Sequence, residues 1–166
     1  MAEISRRTLL ALGAAAALSA CSPSLSGLSN VAVPPDRLTT AQITEAINGV
    51  RASNGRKAWR YNSRLERAAQ SQADLMAARN TLSHDLGVTL RQRVTTAGYL
   101  GAVGENLAGG HTTLASAIEG WLASPGHRST LLSERFEEFG LAVAKTSAGR
   151  QYWALIAGGS FEAWRS

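Results

Sequence analysis

Residues Val103–Leu132 read VGENLAGGHTTLASAIEGWLASPGHRSTLL, and the fold is decided here. Within it Leu114, Ala117, Ile118, Trp121 and Leu122 recur at i, i+3, i+4, i+7 and i+8. That spacing is the apolar stripe of a helix burying one face. Thr113 is its expected cap. Ser124, Pro125 and Gly126 stop it, because proline cannot continue the hydrogen-bond ladder and glycine accepts turn geometry. Glu105 precedes the helix, in Glu105–Ala108, which reads as a short buried strand. His127 follows it. Short loops on both sides allow this carboxylate and this imidazole to share one cleft.

Upstream, Thr39 with Gln42 fits a capping box, and Ile43, Ala46, Ile47 and Val50 carry a first helix to Ser53. Trp59 and Tyr61 then lie in a connection. Ser63 with Glu66 predicts a second capping box, opening a long helix through Leu65, Ala68, Ala69, Gln72, Leu75 and Met76 to Asn80. Its alanines predict a closely approached neighbour. Thr89 with Gln92 opens a third helix, with Leu90, Val94 and Ala97 on one side. Gly98 to Gly104 reads as a glycine-rich loop without the pattern of a phosphate-binding loop.

Downstream, Phe136–Lys145 has strand-like alternation, Thr146–Arg150 is a turn, and Tyr152–Ala157 is a strand apolar on both faces, hence central. The pair predicts a hairpin ended by Gly158-Gly159. Helices must therefore cover a small, mainly antiparallel sheet, which is an α+β layered domain.

The 166 residues, 45% hydrophobic and 17% charged, suit one domain with a real core. The first residues read as an address. Arg6-Arg7 resembles a twin-arginine signal, and Thr8–Ala20 is an uncharged run shorter than the ~20 residues of a membrane-spanning helix. Leu18-Ser19-Ala20-Cys21 resembles a bacterial lipobox, cleaved before an acylated Cys21. The expected layout is export signal 1–20, flexible tether 21–37, domain 38–160 and tail 161–166. The expected place is the periplasmic face of the envelope, anchored by lipid. Ser22 rather than aspartate after Cys21 favours the outer membrane. Cys21 is the only cysteine, so no disulfide forms within the chain. Net charge is +5, which loss of Glu3, Arg6 and Arg7 lowers by one. The basic residues are scattered, so nucleic acid is not the expected partner, and a monomer is expected.

Ser83-His84, Gly104-Glu105-Asn106-Leu107-Ala108 and Trp121-x-x-Ser124-Pro125-Gly126-His127-Arg128, in this order, resemble the CAP superfamily, also called SCP or PR-1-like. The bacterial branch is the nearest match, over residues 38–160. The resemblance implies a three-layer α-β-α sandwich with a large cleft lined by two histidines and acidic residues. His84, Glu105 and His127 match three of its four cleft positions. Animal and plant relatives usually carry a second glutamate where this chain has Ser124. The family's disulfides are missing too.

Two neutral imidazoles suit zinc, copper or nickel, so His84, His127 and Glu105 are candidate metal ligands and zinc a candidate ion, with no cofactor required. His84, Glu105, Asn106, Ser124, His127 and Arg128 are candidate cleft residues. Arg128 is a candidate partner of Glu105 or of an anionic ligand, and His111 is read as surface. The leading functional expectation is a module binding a small apolar or cell-wall ligand. One alternative is a metal-dependent, peptidase-like hydrolase with Glu105 as base and His127 as acid. Another is a non-catalytic interaction domain.

Overall fold

The computed structural model describes residues 33–165. The expected export signal, Cys21 and the expected tether up to residue 32 lie outside the described residues. The elements are α1 (Thr40–Ser53), β1 (Arg60–Tyr61), α2 (Ser63–Arg79), α3 (Leu90–Thr96), β2 (Ala102–Gly109), α4 (Leu114–Ala123), α5 (Pro125–Leu131), β3 (Glu138–Lys145) and β4 (Gln151–Gly159). Short 3-10 turns at Pro35–Arg37 and Glu162–Trp164 flank them. Among the described residues no helix is long and apolar enough to cross a membrane.

The sheet order is β1-β3-β4-β2. β4 pairs antiparallel with β2 and with β3, and only the short β1 runs parallel to its neighbour β3. The apolar character of β4 on both faces now has its reason. Trp153, Leu155 and Ala157 enter one core with α1, α4 and α5. Tyr152, Ala154 and Ile156 enter a second core with α2 and α3. Alternate side chains of a strand point to opposite faces, so a strand between two helical layers must be apolar throughout. This is the expected α-β-α sandwich. The Thr39–Gln42 and Thr89–Gln92 capping boxes both form, and Thr113 caps α4 through Ser116.

Four local expectations are corrected. Asn62, not Ser63, caps α2: its side chain accepts from the Arg64 and Leu65 amides, as a short amide at this position does well. The connection around Trp59 and Tyr61 contains β1, too short to show a period. The glycine-rich loop shrinks, because β2 already begins at Ala102 and pairs as far as Ala102↔Gly159. Pro125 ends α4 but also starts α5 as its first residue, where the missing N–H is no loss. His127 therefore sits in the first turn of a helix rather than in a loop.

α2 lies close on β3 and β4 because Ala68, Ala69 and Ala73 are buried with no bulk. Gly140 of β3 completes this approach: a Cβ there would fall on the backbone of Leu65 and Glu66. Backbone cannot rotate out of the way as a side chain can. Gly140→Ala is therefore expected to lower the unfolding free energy by about 1–3 kcal/mol, with the overpacked site at the α2–β3 contact, read from urea denaturation. A change within experimental error would refute the close contact.

Candidate functional site

β2 has β4 on one side only, so its other side is the open edge of the sheet. Successive residues of β2 serve different layers. Glu105 points to the side of α2 and α3, where it meets His84 and Arg93. Asn106 points to the side of α5, where its Nδ2 donates to the backbone oxygen of His127 at 2.8 Å. Two neighbouring residues of one edge strand thus hold two segments that carry histidines.

The Glu105 side chain is 2% exposed and that of Arg93 is fully buried. Arg93 Nη2 donates to Glu105 Oε2 at 2.6 Å, and Nη1 donates to the Val88 carbonyl. Glu105 Oε1 is 2.8 Å from His84 Nδ1. An ionised carboxylate only accepts hydrogen bonds, so the His84 proton of this pair sits on Nδ1. Nε2 is then the free nitrogen of neutral His84, on a side chain that is 61% exposed. The loop carrying His84 is held from below by Gln72, a fully buried residue of α2 that donates to the Ser83 carbonyl. Asn80 ends α2 in the left-handed conformation, which turns the chain into that loop.

His127 is half-buried. Its pKa is lowered, first by burial and then by the charge of His84. Both causes favour a neutral His127, able to donate from one nitrogen and accept at the other.

The candidate residues therefore separate. Glu105 meets His84 on one side of β2, and Asn106 meets the His127 backbone on the other. Ser124 joins α4 to α5, and its side chain makes no capping hydrogen bond to either helix. Arg128 turns away: its Nη2 donates to Asn54 Oδ1 at 3.0 Å, beside the end of α1. It is neither a partner of Glu105 nor tied to its cleft. His111 is half-buried rather than on the surface; its ring lies over Gly120 of α4 and its carbonyl accepts from the Trp153 indole.

One oxygen of Glu105 is bound to Arg93 and the other to His84. Among the described residues no three of His, Cys, Asp and Glu are grouped to hold a metal. The residues present do not fit a zinc bound by His84, His127 and Glu105, because a buried guanidinium already supplies the positive charge that Glu105 needs. Glu105 is a positioning residue for His84.

Arg93 and Gln72 are the site residues not anticipated from sequence. A signal existed for both: each lies on the apolar side of its helix. Arg93 is three residues from Leu90 and four from Ala97, and Gln72 is three from Ala69 and four from Met76. A polar side chain on a buried stripe must have a buried partner.

A family model described as CAP, cysteine-rich secretory protein family, matches residues 44–156. An outer surface protein from Borrelia burgdorferi is similar in structure, with TM-score 0.64 and 24% identity over 71% of this chain and 90% of that one. An extracellular protein containing an SCP domain from Bacillus anthracis has TM-score 0.63 and 27% identity, over 72% of this chain and 40% of that one. A cysteine-rich secretory protein from Staphylococcus aureus has TM-score 0.58 and 24% identity, over 78% and 41%. No curated protein matches the chain in sequence.

Removing only one charge of the buried pair strands the other. Arg93→Met is expected to cost about 3–5 kcal/mol, and the double variant Arg93→Met/Glu105→Gln is expected to recover part of that loss. Denaturant titration of the full cycle checks this, and additive losses would show that the two groups do not interact.

Proposed function

The chain belongs to the CAP, or cysteine-rich secretory protein, family, and from that premise we propose that it is an exported, lipid-anchored binding module. Its ligand is a small apolar or cell-wall molecule held beside the open edge of β2, with His84 and His127 as the polar contacts. One observation carries this reading: a solvent-exposed imidazole, His84, is fixed in tautomer and direction by a carboxylate that is itself buried. Fixing a polar group before the ligand arrives lowers the entropy lost on binding. Binding sites need only a few such groups among apolar surface.

Export is supported by Arg6-Arg7, the uncharged run Thr8–Ala20 and the lipobox-like Leu18–Cys21. It is also in keeping with the extracellular and outer-surface proteins to which the chain is similar. Acylation of Cys21 predicts that Cys21→Ala moves the protein from the membrane fraction to the soluble one. Continued sedimentation of that variant with membranes would oppose the anchor.

A second reading rests on the same hydrogen bond. Glu105 orients His84 as an acidic residue orients the base of a nucleophilic site. In a hydrolase of this kind His84, through Nε2, would take the proton from water, and Glu105 would not. The imidazolium so formed on His84 would pass that proton to the leaving group, and neutral His127 would hydrogen-bond the substrate. The Glu105 carboxylate would then stabilise the imidazolium formed on His84.

The two readings part in one set of measurements. As a binding module, the protein purified from its envelope carries a ligand detectable by mass spectrometry. His84→Ala and His127→Ala each lower its capture about tenfold, the loss of one ~1.4 kcal/mol hydrogen bond. As a hydrolase, it turns over peptide or wall substrate, and His84→Ala abolishes turnover. An empty cleft without turnover would reject both. Zinc uptake, followed by calorimetry, is expected to be the same in Glu105→Gln as in the native protein; a clear loss would restore Glu105 as a ligand.

A further inference from the structure

A separate surface lies where β2 begins and β4 ends. Leu100 is 73% exposed, Phe161 51% and Trp164 44%. Leu100 comes just before β2 and Phe161 just after β4, at the end where Ala102 pairs with Gly159. Trp164 rests against Phe136, with ring centroids 5.4 Å apart. Each exposed aromatic has a guanidinium over it, Arg91 at 5.6 Å from the Phe161 ring and Arg135 at 4.7 Å from the Trp164 ring. Arg91 is held in place by donating to the Gly101 carbonyl. Arg64 lines the same end beside Leu100 and Ser160, and Arg165 follows Trp164.

The charges here do not cancel. Glu134 is paired with Arg56, and the single Arg60 lies against both Glu137 and Glu138, which leaves one carboxylate in excess. Among the described residues Arg64, Arg91, Arg135 and Arg165 are in no ion pair, and with Glu162 and that excess carboxylate set against them the surplus is still cationic. Protruding apolar side chains ringed by cations match the interface of an anionic bilayer. Aromatic rings seat at headgroup depth while arginines meet the phosphates.

We propose that this end of the domain seats on an anionic lipid surface, with Leu100, Phe161 and Trp164 inserted and the four arginines on the headgroups. This contact is distinct from the leader. The described chain enters beside the opposite end of the sheet, where Asp36 pairs with Lys145 at the β3–β4 turn. The proposal does not rest on the histidine cleft.

Sedimentation with vesicles cannot decide the matter, because the apolar run of the leader would bind them. Tryptophan emission can. Trp59, Trp121 and Trp153 are at most 2% exposed, so lipid-borne bromine quenches Trp164 alone. The full chain is mixed with vesicles of brominated phosphatidylcholine, either pure or with an equal amount of phosphatidylglycerol. Quenching is expected with the anionic vesicles and is much weaker with the neutral ones. Trp164→Phe should remove it. Arg91→Gln and Arg135→Gln should each weaken it about fivefold, the weight of one cation near such a surface. Leu82→Ser, an exposed leucine elsewhere, should change nothing. Vesicles that bind while Trp164 stays unquenched, or quenching untouched by both arginine changes together, would overturn the proposal. So would protection of Trp164 by wall fragments or a protein while lipid leaves it unaffected.

Discussion

The Arg93 guanidinium and the Glu105 carboxylate, 2.6 Å apart and shut away from water, join α3 to the edge strand β2. Much of the site follows from that bond. It gives the buried Glu105 carboxylate a hydrogen-bonded partner of opposite charge. A charged Glu105 can then grip His84 at Nδ1 and leave the rest of its ring to solvent. Buried pairs of this sort add little net stability against an apolar replacement, so their use lies in specifying geometry. Here the geometry specified is the direction of one imidazole.

The cleft is built where the sheet runs out. Inner strands such as β4 are covered on both faces and paired on both edges, so they offer nothing to a ligand. β2 is covered on its faces but lacks a second neighbour. The loop after α2 is tied to it through Glu105 and the first turn of α5 through Asn106, from opposite layers. Backbone at this edge is itself partly occupied: the Trp121 indole donates to the Leu107 carbonyl, and Arg91 donates to that of Gly101. These contacts blunt the edge against pairing with another chain, as open edges require.

The candidate site was legible from sequence in its membership more than in its wiring. His84, Glu105 and His127 stood out because each lies at an element boundary and each falls in a motif of the family. Their roles depended on residues with no motif. Arg93 lies in an ordinary short helix, and nothing local says that its partner is twelve residues ahead on a strand. Arg128 looked suited to Glu105 by sign and nearness to His127. Yet α5 points it towards Asn54, and the tight α4–α5 joint at Ser124 sets that direction.

Residue pattern alone settled the periods of α1, α2, α4, β3 and β4, the caps at Thr39, Thr89 and Thr113, and the need for two helical layers around a strand apolar on both sides. These are local properties, since spacing and capping act within a few residues of chain. Tertiary structure alone decided the parallel β1, the position of β2 at the edge, and the capture of Glu105 by Arg93. Each of these joins segments far apart in sequence or on different layers. The free energy that selects such a partner comes from burial, which no local pattern records.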